Sequence, residues 1–428
     1  MELTKDDQLV VPCAISREIG KGTFGIIFVN PSKPGHIIKR TLVPNVDPRG
    51  WLVQDAHWHE RIYTSFEGFR QGSALMGGTV CLPCVPRFDR MIHCGDTDAW
   101  LVEHALDGRQ VSWTDASGRH EETTYLDPSP ILCAQQIPSV PSAVATHILR
   151  TFHADLGEEA IRSATAMPTN QNALLRVYFG KGYDADHETN SKLTSDALDP
   201  GPVAPSQRQK LKILPSLRNF PLSQSRLAEV LSRVDYVSAL GLLASAYAVL
   251  HWRVKCDARD VEFVLGGPDT CADQVQQSII EITGERLQMW LLDFNQVTSI
   301  SLTEEGVQKL VAGFLENDPY MPKPERGTGD EWRLFKEEYL RVSQILLSGV
   351  SPQEEEVEVE LKRGRGTGEE NILKLPQLFV SEVEKRQGLN SYQQLLGSSG
   401  TVEDDQAMYL LRSFRNVLRH AVSVLWRQ

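Results

Sequence analysis

Two short stretches limit what this chain can fold into more than anything else in it. The first runs Leu250-His251-Trp252-Arg253-Val254-Lys255-Cys256-Asp257-Ala258-Arg259-Asp260-Val261-Glu262-Phe263-Val264-Leu265, and the second Leu291-Leu292-Asp293-Phe294-Asn295. An apolar helical run leads into the first, a polar loop carrying Asp257 follows, and a short β-branched strand comes next. The second is a buried strand ending on a carboxylate. A carboxylate held at the end of a buried strand is costly unless a cation or hydrogen-bond donors meet it. Asp293 therefore implies a partner elsewhere in the chain. Asp257 and Asp260 have a plainer alternative, the capping of turns around the loop.

The N-terminal third supplies partners. Gly20, Gly22 and Gly25 form Gly-x-Gly-x-x-Gly with β-branched residues on both sides. A dinucleotide fold needs a helix after the third glycine, whereas Ile26-Ile27-Phe28-Val29 continues as a strand. The pattern therefore reads as a hairpin, whose glycines let backbone N–H groups lie close over phosphates. His36-Ile37-Ile38-Lys39-Arg40 is an apolar strand closing on Lys39. Residues 51–67 read as an amphipathic helix with Asp55, Trp58, His59, Ile62 and Phe66 on one face. Asp55 is the expected partner of Lys39, and Glu60, rotated away but longer in reach, is the alternative.

Taken together, these segments resemble a kinase-like fold, with a glycine hairpin, a strand lysine, a catalytic-type loop and a metal-binding-type loop. The resemblance implies that Lys39 pairs with phosphates, Asp257 is the base for an acceptor, Arg259 steadies the terminal phosphate, and Asp293 with Glu262 holds Mg²⁺. Three features depart from the pattern. Glu262 stands where the metal-binding Asn is expected, Asn295 replaces the Gly after Asp-Phe, and only Phe294 to Leu302 separates Asp293 from the next helix. A protein kinase needs a longer segment there to dock a peptide. The expected fold class is α+β and bilobal, with a β-rich N-lobe over 10–140 and a helical C-lobe over 141–348 that carries a flexible insertion at 181–210. A linker and helical extension follow over 349–428.

The remaining segments fit around that plan. A strand Ile131–Ile137 running into Pro138–Pro141 is the expected hinge, with Leu101–Leu106 as the alternative, and Ala99–His104 is a further strand. Residues 108–130 read as a loop, 142–162 as helical, and Leu174–Phe179 as a strand. Helices are expected over 223–252, 303–316, 330–348, 376–387 and 404–426. Cys81-Leu82-Pro83-Cys84, with His93-Cys94 beyond, raises the question of zinc. The second half-site lacks ligands spaced to wrap an ion, so no zinc is expected.

Longer motifs carry a second resemblance. Leu-Arg-Asn-Phe-Pro-Leu at 217–222, His251-Trp252 with Asp-x-x-Asp-Val-Glu-Phe-Val-Leu-Gly ending at 266, Leu-Leu-Asp-Phe-Asn-Gln at 291–296 and Asn-Asp-Pro-Tyr-x-Pro-x-Pro at 317–324 are similar to the fungal DUF3669 family. The likeness spans roughly residues 10–348. The family's name implies no chemistry, and the zinc-finger label on some members finds no support here beyond the cysteine group.

Charge narrows the function classes. The formal net charge of −12 disfavours nucleic-acid binding. No run of eighteen apolar residues is found, so no membrane span is expected. The N-terminus has no apolar signal core. Seven cysteines, an odd number, read as reduced thiols of a cytosolic or nuclear protein. The function expected from the residues is a kinase-like phosphotransferase using ATP and Mg²⁺ on a small-molecule hydroxyl or amine. The alternative is a catalytically weak, pseudokinase-type regulator that binds nucleotide or a protein partner.

Overall fold

The computed structural model describes residues 16–21, 25–30, 33–41, 50–75, 80–92, 111–114, 120–123, 130–180, 214–269, 279–317, 320–324, 330–348 and 372–398. It is an α+β structure with two sheets, and about half of the described residues are helical. Strands β1 (Ser16–Lys21), β2 (Gly25–Val29) and β3 (His36–Thr41) form an antiparallel meander. Strands β4 (Phe88–Ile92) and β7 (Ile131–Gln135) extend it beyond β3. On the other edge lie β5 (Val111–Thr114), parallel to β1, and β6 (His120–Thr123), giving the order β4-β7-β3-β2-β1-β5-β6. Residues 108–130, expected as loop, thus contain a hairpin. Its β-branched and aromatic residues suit a strand, but the stretch is too polar for an apolar alternation to show. Pairing with β1 supplies the ladder.

Helix α1 (Trp51–Leu75) packs against β4 and β7. Leu52, Asp55, Ala56, Trp58, His59, Ile62, Phe66 and Phe69 are buried along it. That is the spacing of a single inward helical stripe. Leu52 and Ala56 form a small core with Leu132 and Ala134 of β7.

After β7 the chain crosses in extended form through Pro138 to α2 (Ser142–Phe152), α3 (Glu158–Thr165) and α4 (Pro168–Gln171). The expected single helical stretch over 142–162 is broken at His153–Gly157. Strand β8 (Leu175–Val177) starts a second sheet. It continues through β9 (Phe220–Leu222), β10 (Glu262–Gly266), β11 (Ile279–Ile282) and β12 (Glu285–Leu292), in the order β11-β12-β10-β8-β9. Helix α5 (Gln224–Val230) leads to α6 (Arg233–Ala248), which continues as a π-helical turn over Val249–Val254. Arg233–Val254 is long and apolar enough to cross a membrane by length and composition, with 72% of its most apolar stretch buried inside the fold. It behaves here as a core helix. Helix α8 (Asp330–Ser348) packs along α6, and α7 (Glu304–Glu316) takes α9 (Leu375–Ser398) against it. Helix α9, the described part of the C-terminal extension beyond Ser348, therefore docks through buried Leu375, Phe379, Val380 and Val383.

The expected Ala99–His104 strand, the alternative hinge Leu101–Leu106, the 181–210 insertion and the 404–426 helix lie outside the described residues.

Candidate functional site

A cavity of about 290 Å³ opens between the two sheets. The first sheet contributes Glu18, Gly20, Gly25, Ile27 and Lys39, and α1 contributes Asp55 and His59. The second sheet and its flanks contribute Arg176, Glu262, Val264, Leu292 and Asp293, with Arg218 and Asn219 from the turn before β9. Apolar walls and convergent charged groups are the usual make-up of a small-molecule pocket.

Strand alternation turns Lys39 toward the cavity. It pairs with Ile27 on one side and Leu132 on the other, and all three line the cavity. Its Nζ donates to Asp55 Oδ2 at 2.6 Å and to Asp293 Oδ1 at 3.1 Å. Burial alone would lower the Lys39 pKa, but Asp293 and Asp55 together outweigh it and raise it. The ammonium is thus held charged between two carboxylates from distant parts of the chain. Asp55 has a second duty, since its Oδ1 accepts the Phe294 N–H at 2.9 Å. Gln54 donates to Val297 O at 2.7 Å one residue earlier. Helix α1 is in this way tied to the Asp293 loop at two points. Glu60 is exposed on the same helix.

The glycines are placed unequally. Gly20 and Gly25 line the cavity, while Gly22 lies outside the described residues. A Cβ at Gly25 would come within 2.7 Å of Arg40 O and within 3.4 Å of the Lys39 side chain. Only glycine fits that approach, and it leaves the lysine stem room to reach across.

Register brings the two carboxylates of the second sheet together. Glu262 lies directly opposite Leu292, so Asp293 follows at the same end of the adjacent strand. On the other side of β10, Arg176 pairs with Val264, two residues from Glu262 and on the same face. The guanidinium Nη1 reaches Glu262 Oε1 at 2.6 Å and donates to the Tyr320 hydroxyl at 3.0 Å. Nη2 donates to Asn219 Oδ1 at 3.4 Å. Burial pushes the Glu262 carboxyl up to about 7 against the opposing pull of Arg176. Across the cavity mouth, Arg218 Nη2 donates to Glu18 Oε1 at 3.1 Å, which links β1 to the β9 turn.

The structure places Asp257 and Arg259 elsewhere. Neither lines the cavity. Asp257 is buried, and its Oδ1 accepts the Thr298 N–H at 2.8 Å and the Arg259 N–H at 3.3 Å. Its Oδ2 accepts the Thr298 hydroxyl at 2.7 Å. Arg259 Nε lies 3.9 Å from Asp257 Oδ2, while its Nη1 pairs with Glu316 at 2.9 Å. Lys255, Ala258 and Asp260 all take positive φ in this loop, and Asp293 does so at the end of β12. Such backbone persists only where surrounding contacts dictate it. Asn317 is one of those contacts, donating to the Tyr247 hydroxyl at 2.6 Å and to Ala258 O at 3.2 Å.

Sequence reasoning missed Glu18, Arg176, Arg218 and Tyr320. Arg218 and Tyr320 stand inside the motifs at 217–222 and 317–324, so their position was marked and only their role was hidden. Arg176, on a three-residue strand, carried no such mark.

Residues 289–350 match the DUF3669 family, described as "Zinc finger protein". The match supports the likeness drawn from the motifs at 291–296 and 317–324. No curated protein and no solved structure matches the chain. The matched stretch contains no cysteine and no histidine, the residues structural zinc sites are built from. Among the described residues no three His, Cys, Asp or Glu side chains gather to hold a metal ion. Cys84 runs beside β12, with its N–H bonded to Met289 O and its carbonyl to the Leu291 N–H. Burial pushes its thiol up to about 11, away from the thiolate a metal needs. His93 and Cys94 lie outside the described residues.

Proposed function

We propose that the cavity is a nucleotide site of a kinase-like protein that acts by binding, as a regulator, and not by phosphoryl transfer. The observation that carries this reading is Lys39, set under a glycine hairpin and bridging Asp55 of the packed helix to Asp293. A phosphate entering beside Gly20 and Gly25 meets a fixed ammonium, and a base meets Ile27, Leu132, Ala134 and the crossing residues Gln136, Ile137 and Ser139. The small-molecule size of the cavity supports a nucleotide over a peptide. Binding is favoured over transfer because Asp257, the carboxylate for an acceptor in the kinase-like plan, has both oxygens engaged inside the protein and lies away from the cavity lining.

The test is calorimetric titration with ATP and with ADP, alongside thermal melting. Either ligand stabilises the native state if it binds there alone. Lys39→Met and Gly25→Val should each abolish the stabilisation. A wild-type melting temperature unmoved by millimolar nucleotide would end the reading.

A phosphotransferase acting on a small-molecule hydroxyl or amine is a second reading. It is favoured by the strained Asp257 loop, since unusual backbone gathers at active sites. Phosphate transfer to a panel of hydroxyl and amine acceptors, lost in Asp257→Asn with nucleotide affinity kept, would establish it.

A further inference from the structure

The kinase-like plan calls for a divalent cation between the nucleotide phosphates and the carboxylates at positions 262 and 293. The residues present do not fit that cation. Glu262 would be one of its two protein ligands, and its Oε1 is 2.6 Å from the Arg176 guanidinium. Asp293, the other, is 3.1 Å from the Lys39 ammonium. Mg²⁺ demands near-ideal oxygen geometry, and here one oxygen of each carboxylate already faces a protein cation that the ion would have to displace.

The arrangement around Arg176 is built. Glu262 is 8% exposed, and its partner is steadied by Tyr320, which itself packs edge-on to Tyr178 with ring centroids 4.9 Å apart. Three separate elements supply the shell around Arg176, namely β10 with Glu262, the turn before β9 with Asn219, and the Tyr320 segment. A guanidinium offers five N–H donors in a plane and recognises phosphate as readily as carboxylate. It also brings its charge without needing to be recruited from solution.

We infer that Arg176 takes the place of the divalent cation, so that this cavity binds nucleotide phosphates without metal. The inference rests on the nucleotide reading above and deepens it. Two of the cations that line the cavity, Lys39 and Arg176, then flank the phosphates from the two sheets.

The experiment is titration of the full chain with ADP and with ATP, once in excess EDTA and once in millimolar Mg²⁺. The expected result is dissociation constants equal within about threefold in the two buffers. In Arg176→Gln, affinity in EDTA should drop at least tenfold and Mg²⁺ should restore part of it, because Glu262 is then free to take the ion. Removing one partner of a buried ion pair can unfold a protein. The Arg176→Gln, Glu262→Gln double variant therefore runs alongside, as it leaves no unpaired charge. It should fold, bind nucleotide weakly and show no response to Mg²⁺. Wild-type binding that appears only with Mg²⁺ would overturn the inference and leave the nucleotide site standing. No wild-type binding in either buffer would overturn the site itself.

Discussion

Lys39 shows how a single side chain joins distant parts of this chain. Its two carboxylate partners lie 16 and 254 residues away. Lys39→Met would leave Asp55 and Asp293 facing each other with no cation between them. Breaking a buried pair in this way costs about 3–5 kcal/mol, which urea denaturation would read as a lower midpoint. Lys39→Met combined with Asp293→Asn should recover part of the loss. His251 presents the opposite case, a buried group kept neutral. It shares a 2.9 Å hydrogen bond with the Tyr339 hydroxyl, and burial lowers its pKa from 6.5 to about 3. The neutral form suits the folded state, so its contribution is complete above pH 6.5 and is lost as pH falls from there toward 3. The loss runs at about 1.4 kcal/mol per pH unit. Melting temperature should fall more steeply through that window in wild type than in His251→Asn, and parallel curves would clear His251 of the role.

Elements meet at glycines where backbone has to touch backbone. A Cβ on Gly266 of β10 would stand 2.7 Å from Pro138 O and 2.8 Å from the Ile137 side chain, at the crossing between the two sheets. Gly267 donates its N–H to the same Pro138 carbonyl at 2.7 Å. Gly266→Ala should therefore push the crossing away from β10, at about 1–3 kcal/mol, and weaken nucleotide binding with it. On α7, a Cβ at Gly313 would stand 2.7 Å from Asp257 O. Gly313→Ala should lift the helix off the Asp257 loop and lower stability by a similar amount, while leaving cavity affinity nearly unchanged, because Asp257 does not line the cavity. Affinity lost equally in both variants would mean that the two loops move as one.

For the whole molecule, helix α9 is part of the core. Phe379 of α9 is fully buried, with its ring 5.0 Å from His251, 5.1 Å from Tyr339 and 5.5 Å from Phe314. These partners come from the π-helical turn, α8 and α7, so α9 covers one side of that helix cluster. Phe379→Ala should cost about 3–5 kcal/mol. A chain ending at residue 348 should melt lower still and expose the aromatic cluster, seen as dye binding at neutral pH. Equal melting temperatures for full-length and shortened chains would show α9 to be an accessory.

The amphipathic stripe of α1 is legible in the sequence alone. Asp55, Trp58, His59, Ile62 and Phe66 share a face by spacing alone, and all are buried. The glycine hairpin and the apolar strands ending near Lys39 and at Asp293 were legible for the same reason: local periodicity and backbone freedom are written residue by residue. The polar hairpin β5–β6 was not, because its pairing with β1 is the source of its order. Nor was the charge arrangement of the cavity. Which cation meets which carboxylate depends on strand register across a sheet and on turns that bring residues 18, 176, 218 and 262 to one opening. An arginine on a short strand looks the same in sequence whether it faces water or Glu262. Only the packed structure decides, because ion pairing is set by distance in space, and spacing along the chain does not encode it.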